Sequence, residues 1–471
     1  MTSIEVVDFS FTYDKNQPNI LNNVSFTPQT NSFNLLVGPS GSGKSTLLKA
    51  MAGLLPKFGG IVTHGQIRLE NQDIQPVAPF ERAKRIAMLF QNPDRQFAMQ
   101  TIPEQITFAL ENIQFPIVDI ATRVDWAMTQ LNLHPLADRQ LMTLSGGEKQ
   151  RVALATILAM DSDIILLDEP FANVDPVARL TLLQDLKHLQ QTHQKTIIIS
   201  DHDYAGYQGL VDDLWAIDET SRSLVTADLT ILNNIPPITP FMGHPQHPGA
   251  LHWDNLKLQI GERLLLRDAN FTVPQQEIGL ISGANGIGKS TLFAALAKLH
   301  AFEGHVTWQE QSITAIKAKH WATHLALVFQ SATDQFVTMT VADELALAQK
   351  HSHFPTYWTT ERVQQALATL HLATLQDHIV YQLSGGQQKK LQVLLMLITG
   401  QDVLLLDEPL AGLDSASTKA IMTLLKSTLA ETKQAILMIS HQRAGLADFI
   451  NYELHFADQQ LQLIGGGQTY V

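Results

Sequence analysis

The stretch GPSGSGKST, Gly38–Thr46, is entered from an apolar run, SFNLLVG (Ser32–Gly38), and leads into TLLKAMAGLL, whose apolar residues recur at helical spacing. Strand, glycine-rich turn and helix in that order make a phosphate cradle. The glycines let backbone N–H groups converge on phosphate oxygens, and the helix start adds positive potential. The same succession returns as GANGIGKST, Gly283–Thr291, at an offset of 245 residues. A glycine turn beside a chance lysine, the plainer reading, does not account for two copies in matching contexts.

Other segments repeat with it. LSGGEKQR (Leu144–Arg151) returns as LSGGQQKK (Leu383–Lys390), LLDEP at 166–170 returns at 405–409, and His202 returns as His441, all offset by 239. FQNPDRQF (Phe90–Phe97) and FQSATDQF (Phe329–Phe336) share that offset, as do Phe115-Pro116 and Phe354-Pro355. The chain is therefore a duplicated domain, with one net change of length between the first lysine and the Phe-Gln step. Between the copies lies NNIPPITPFMGHPQHPG, proline-rich and without hydrophobic period, which reads as a linker. The expected organisation is 1–232, a linker at 233–249, and 250–471. Histidines in the linker hint at metal, but no carboxylate or helical spacing joins them, so a polar surface segment is the reading taken.

Composition sets limits. The 471 residues are too many for one typical core, and 45% hydrophobic content argues against long disorder. A net charge of −13 without a basic run argues against nucleic acid or anionic lipid as main partner. With no cysteine, disulfides and thiolate metal sites are excluded. The amino-terminal MTSIEVVDFSFTYDK lacks a charged start and apolar core, and no apolar run reaches the ~18 residues of a span. A soluble, cytosolic protein is expected.

Within each repeat the chemistry is that of a nucleotide. The loop residues Gly38, Pro39, Ser40, Gly41, Ser42, Gly43, Lys44, Ser45 and Thr46 are the expected phosphate contacts, as are Gly283, Ala284, Asn285, Gly286, Ile287, Gly288, Lys289, Ser290 and Thr291. Lys44 and Lys289 would reach the β- and γ-phosphates of ATP, while Ser45 and Ser290 would offer hydroxyls to Mg²⁺. Asp168 and Asp407 each end a short apolar strand, where a carboxylate can join the Mg²⁺ shell; Glu169 and Glu408, next in line, can polarise an attacking water. His202 and His441 end the apolar strands TIIIS and AILMIS, positions suited to a γ-phosphate contact. Ser145, Gly146 and Gly147, and Ser384, Gly385 and Gly386, start helices and so supply a second set of anion-binding donors per repeat.

Phosphate loop, Phe-Gln step, LSGG, LLDEP and strand-end histidine together resemble the nucleotide-binding domain of ABC-type ATPases, twice and over nearly the whole chain. The resemblance implies two tandem P-loop NTPase domains. Each would be a RecA-like α/β core with an antiparallel β subdomain and an inserted α-helical signature subdomain. It also implies head-to-tail closure, in which Lys44, Gln91, Glu169 and His202 face Ser384–Gly386, and Lys289, Gln330, Glu408 and His441 face Ser145–Gly147. In that family Gln91 and Gln330 would also touch Mg²⁺ and sense the nucleotide. Tyr13 stands where the family places an aromatic ring under adenine. The 245 offset puts Leu258 in the second copy's place, with Trp253 five residues early, so looser base binding is expected there. The segment after the second LLDEP, LAGLD, keeps the family pattern more closely than FANVD after the first.

FQNPDRQF followed by TIPEQITFALEN (Thr101–Asn112) resembles the energy-coupling factor (ECF) transporter ATPases in particular. That resemblance implies a peripheral ATPase on the cytoplasmic membrane face, working with a transmembrane coupling protein and a substrate-binding membrane protein to import a vitamin, vitamin precursor or transition-metal ion. Asp94 and Gln96, with Asp334 and Gln335, are the expected lining of a groove for coupling helices. A fused sugar-importer ATPase is a rival, although such proteins usually carry one decayed half. A ribosome-acting fused ABC protein is another, against which stand the short proline-rich linker and the acidic balance.

Overall fold

A computed structural model describes the chain apart from residues 1–2, 40, 92, 145, 172–173, 175, 219, 234–239 and 466–471, and the side chains at 94–95 and 176–177. It divides into two compact units, Met1–Pro236 and Pro237–Val471.

In the first unit the run Phe33–Val37 is wholly buried, as are Ile164–Asp168 and Thr196–Ser200. Strands that are apolar throughout belong inside a parallel sheet covered on both faces. These three pair in parallel, with Phe33–Val37 also beside Asp213–Ile217 and with Ile86–Leu89 beside Ile164–Asp168. Alternation then divides the side chains between two cores. Leu35, Ile165, Leu167, Ile197 and Ile199 join the helices on one face. Leu36, Ile164, Leu166 and Ile198 pack on the other face against the antiparallel sheet built from Ile4–Thr12, Leu21–Phe26 and Ile61–Leu69. Each buried Leu or Ile contributes about 1.5–3 kcal/mol. Helices Ile102–Asn112, Ile117–Gln130 and Gly146–Met160 form an inserted subdomain, the first of them fixed by a capping box between Thr101 and Glu104.

The second unit repeats this order. Its six-stranded sheet runs Leu325–Val328, Val403–Asp407, Ala435–Ile439, Ile278–Ser282, Tyr452–Ala457, Gln460–Leu463, with a four-stranded antiparallel sheet beside it. The inserted helices are Val341–Lys350, Thr360–Thr369 and Gly385–Thr399. In both sheets the turns after the parallel strands gather at the carboxyl edge, the customary place for a ligand in α/β folds.

Residues 240–249, within the expected linker, hold no strand or helix, yet they are fastened to the second unit. Phe241 N–H donates to Glu453 (2.9 Å), and its ring lies under the Arg443 guanidinium. The backbone N–H groups of Gln246 and His247 and the His247 Nδ1 all meet Glu277 Oε1, at 2.6, 2.8 and 2.9 Å. Glu277 is buried, so one carboxylate oxygen anchors the strap. Glu277→Ala is expected to cost the second unit about 2–3 kcal/mol and to open the strap to protease. Urea unfolding and limited proteolysis would check this.

Candidate functional site

In the first unit three strand ends meet. The strand Phe33–Val37 delivers the glycine loop, whose Gly43 sits at φ 106°, where an added Cβ would fall 2.7 Å from the Leu21 side chain. Only glycine fits there. Lys44 begins the following helix and donates from Nζ to the carbonyls of Gly38 (2.7 Å) and Pro39 (3.0 Å). Its ammonium is 3.9 Å from Glu169 Oε1. Ser45 Oγ donates to Asp168 Oδ1 (2.8 Å), and Ser200 Oγ donates to the same oxygen (2.8 Å).

Glu169 is buried and its backbone lies at φ 45°; Glu408 repeats this at φ 49°. A non-glycine residue in the left-handed region is strained, and here a backbone bond repays it: Glu169 N–H donates to Ser200 O and Glu408 N–H to Ile439 O, each at 3.0 Å. The carboxylate of Glu169 accepts from Gln91 Nε2 (2.7 Å) and faces His202 Nδ1 at 3.8 Å. Burial opposes a charge on His202, but the carboxylates of Glu169 and Asp201 outweigh it and its pKa is raised. Burial likewise raises Asp168, against the two serine hydroxyls.

Motif spacing gave no sign of Arg179, yet it stands behind this histidine. Arg179 is buried and bonds Asp201 (3.2 Å) and Asp203 (2.6 Å), and Tyr207 donates to Asp201 (2.8 Å). The only signal was Asp201 itself, an extra carboxylate next to His202 that the second copy replaces with Ser440.

The second site has the same frame with different fittings. Lys289 Nζ donates to Gly283 O and Ala284 O at 2.7 and 2.8 Å, and Ser290 bonds Asp407. His441 bonds Asn285 Oδ1 (2.7 Å), lies 3.5 Å from Glu408, and donates its backbone N–H to Glu408 Oε2 (3.3 Å). Burial beside Asp407 pushes Glu408 up to about 8, opposed by Lys289 and Lys389. Gln330, in contrast to Gln91, is exposed and does not reach the glutamate. Lys389 lies close by: it is buried, burial pulls it down to about 8 against the pull of Glu408 and Asp407, and its Nζ donates to Gln330 O (2.5 Å). In both sites serine hydroxyl and aspartate meet as hard oxygen donors, a set that suits Mg²⁺ completed by phosphate oxygens.

Of the other expected contacts, Ser384 caps its own helix, accepting from Gln387 N–H (3.3 Å), with Gly385 and Gly386 in the first turn. Gly146 and Gly147 open the matching helix. Ser40 and Ser145 lie outside the described residues, as do 172, 173 and 175 of FANVD and the side chain of Asp94.

Two expectations are corrected. Tyr13 is 50% exposed and its hydroxyl meets that of Thr46, but Leu258 is fully buried. The strand register explains this. Phe11 pairs with Leu21 as Leu258 pairs with Leu266, so Leu258 replaces Phe11, and Ile260, 53% exposed, takes the place of Tyr13. Second, Gln96 and Gln335 are not groove residues. Gln96 accepts from Phe90 N–H and donates to Met88 O, and Gln335 does the same with Phe329 and Leu327. Both amides are spent shaping the loop from within.

The sequence profile of the ABC transporter family matches residues 21–172 and 266–411. The chain belongs to that family. Hydrolysis of ATP is its shared chemistry, and this chain is an ABC ATPase with two fused P-loop domains. A Bacillus subtilis relative with the provisional name HMP/thiamine import ATP-binding protein YkoD is 29% identical, covering 98% of this chain and 91% of its own. An ABC transporter ATP-binding protein of Streptococcus mutans is 28% identical, covering 97% and 90%. Among solved structures, an RNase-L inhibitor superposes with a TM-score of 0.63 at 20% identity, covering 98% of this chain and 90% of that one. A ribosome-bound archaeal Pelota and ABCE1 structure gives 0.70 at 21% identity, covering 96% and 77%. At such identities the likeness concerns the fold alone. Among the described residues no helix is long and apolar enough to cross a membrane.

The raised pKa of His202 has a consequence for this ATPase. A folded value above the ordinary 6.5 means stability that is whole below 6.5 and is lost as pH rises through the folded value. Hydrogen exchange of Ile164–Asp168 and Thr196–Ser200 is expected to show weakening protection over that rise, and His202→Asn to remove the pH dependence.

Proposed function

We propose that this chain is the ATP-hydrolysing subunit of an ECF-type importer, powering uptake of a vitamin, vitamin precursor or transition-metal ion through a separate membrane complex. The carrying observation is a rim of exposed apolar side chains beside each Phe-Gln loop. Backbone bonds from Leu141 N–H to Gln100 O (2.8 Å) and from Val380 N–H to Met339 O (2.9 Å) tie that loop's exit to the turn before each LSGG. Met142, 76% exposed, stands there in the first unit; Val337, 78% exposed, stands with Met339 and Tyr381 in the second. Exposed apolar side chains of this kind suit amphipathic helices of a transmembrane coupling protein. The name of the Bacillus subtilis relative, matched over nearly both full lengths, supports import of a small solute. The net charge of −13 speaks against a ribosomal partner.

In this reading the domains 1–232 and 250–471 close on each other with ATP between each phosphate loop and the other domain's LSGG, and the complex sits on the cytoplasmic membrane face. Mg²⁺ would be held by Ser45, Asp168 and Gln91, and by Ser290, Asp407 and Gln330, and supplies charge neutralisation for the phosphates. Glu169 and Glu408 polarise the water, and His202 and His441 hold it against the γ-phosphate. Closure biases the membrane partner only through the difference in ATP affinity between open and closed forms.

Glu169→Gln with Glu408→Gln is expected to abolish turnover and trap ATP on the chain; parental hydrolysis would refute the catalytic assignment. Met142→Glu with Met339→Glu should leave the ATPase of the isolated chain intact while membrane components no longer co-purify. Retention of those components would exclude the rim as the docking place.

A further inference from the structure

The two signature helices, Gly146–Met160 and Gly385–Thr399, align position for position at the 239 offset, which exposes two replacements facing the Phe-Gln loop. Gln150 becomes Lys389, and Ala153 becomes Gln392. In the second unit Lys389 Nζ donates to Gln330 O (2.5 Å) and Phe329 O (3.4 Å). Gln392 Nε2 donates to Phe329 O (3.0 Å) and to Gln335 Oε1 (2.8 Å), and that same Gln335 oxygen accepts from Phe329 N–H. Two successive carbonyls of the loop and its internal glutamine are thus fastened to the helix.

In the first unit the corresponding donors are missing or engaged elsewhere. Alanine at 153 has none, and the Gln150 amide donates to Pro170 O. The outcome differs at the residue that matters. Gln91 extends to Glu169, whereas the Gln330 side chain is exposed while its own carbonyl is held. A glutamine that must enter its site from a restrained backbone has first to break or stretch a charge-assisted bond.

We propose that Lys389 and Gln392 are positioning residues that restrain the Gln330 loop and make the ATP site built on Lys289 the slower of the two. Neither touches nucleotide in this account; both act through Gln330. The inference needs only the ATPase activity, so it stands whether or not the chain serves an importer.

The test isolates each site. Glu169→Gln leaves the Lys289 site as the catalytic one, and Glu408→Gln leaves the Lys44 site. Glu169→Gln is expected to hydrolyse ATP more slowly than Glu408→Gln. Adding Lys389→Gln and Gln392→Ala, the residues the first repeat uses, is expected to raise kcat about three- to tenfold in the Glu169→Gln background, with KM for ATP unchanged. In the Glu408→Gln background the gain should be less than about twofold. Lys389→Arg with native Gln392 keeps the donors and should keep the slow rate. Hydrogen exchange over residues 329–335 should accelerate in Lys389→Gln/Gln392→Ala and not in Lys389→Arg. No rise in kcat, an equal rise in both backgrounds, or unchanged exchange would each overturn the proposal.

Discussion

Two carboxylates buried side by side at a strand end are the constraint around which each half is arranged. Asp168 and Glu169, like Asp407 and Glu408, are almost fully covered. Ionised carboxylates in such a place are costly unless cations and donors surround them. The phosphate-loop lysine stands 3.9 Å from Glu169, and a serine from the first helical turn bonds the aspartate. Hard oxygen donors and a lysine gathered at one strand end are the groups that a divalent cation and a polyphosphate would require.

The two halves meet that constraint by different means. The first spends hydroxyls and an amide: Ser45 and Ser200 on Asp168, Gln91 on Glu169, with the Arg179–Asp201–Tyr207 cluster bracing the histidine from behind. At the second site Ile439 and Ser440 stand where Ser200 and Asp201 do, and Gln442 bonds Thr418 (3.1 Å) where Arg179 held Asp203. Beside Asp407 and Glu408 the signature helix adds a second buried cation, Lys389, to Lys289.

How much of this was legible in the sequence follows from what each feature depends on. Both lysines, the strand-end carboxylates and the histidines were readable because their chemistry is local and their spacing repeats. Ile260 was not, since the loop from Thr12 to Leu21 is longer than the hairpin turn after Ile260, and a single offset cannot cross that change. Gln96 and Gln335 misled because a polar residue in a loop reads as exposed, while a carbonyl and an N–H left bare at a strand end draw its amide inward. The strap at 240–249 escaped because its anchor, Glu277, lies some thirty residues on in an unremarkable QQE turn (Gln246 to Glu277).

The magnitude of the Lys389 tie suffices for the asymmetry asked of it. A hydrogen bond from a charged donor is worth about 1.5–3 kcal/mol net, and a neutral one about 1. Since about 1.4 kcal/mol is a tenfold change in a population, releasing the Gln330 loop from one such bond, even if water recovers half of it, alters the competent fraction severalfold. Losing the bond from Gln392 adds a smaller factor of the same sign. Burial matters here too, because Lys389 is screened less than a surface lysine and its bond to the Gln330 carbonyl keeps its strength when salt rises. A restraint of this size slows a site without disabling it, which fits a second half whose lysine, aspartate, glutamate and histidine are all retained.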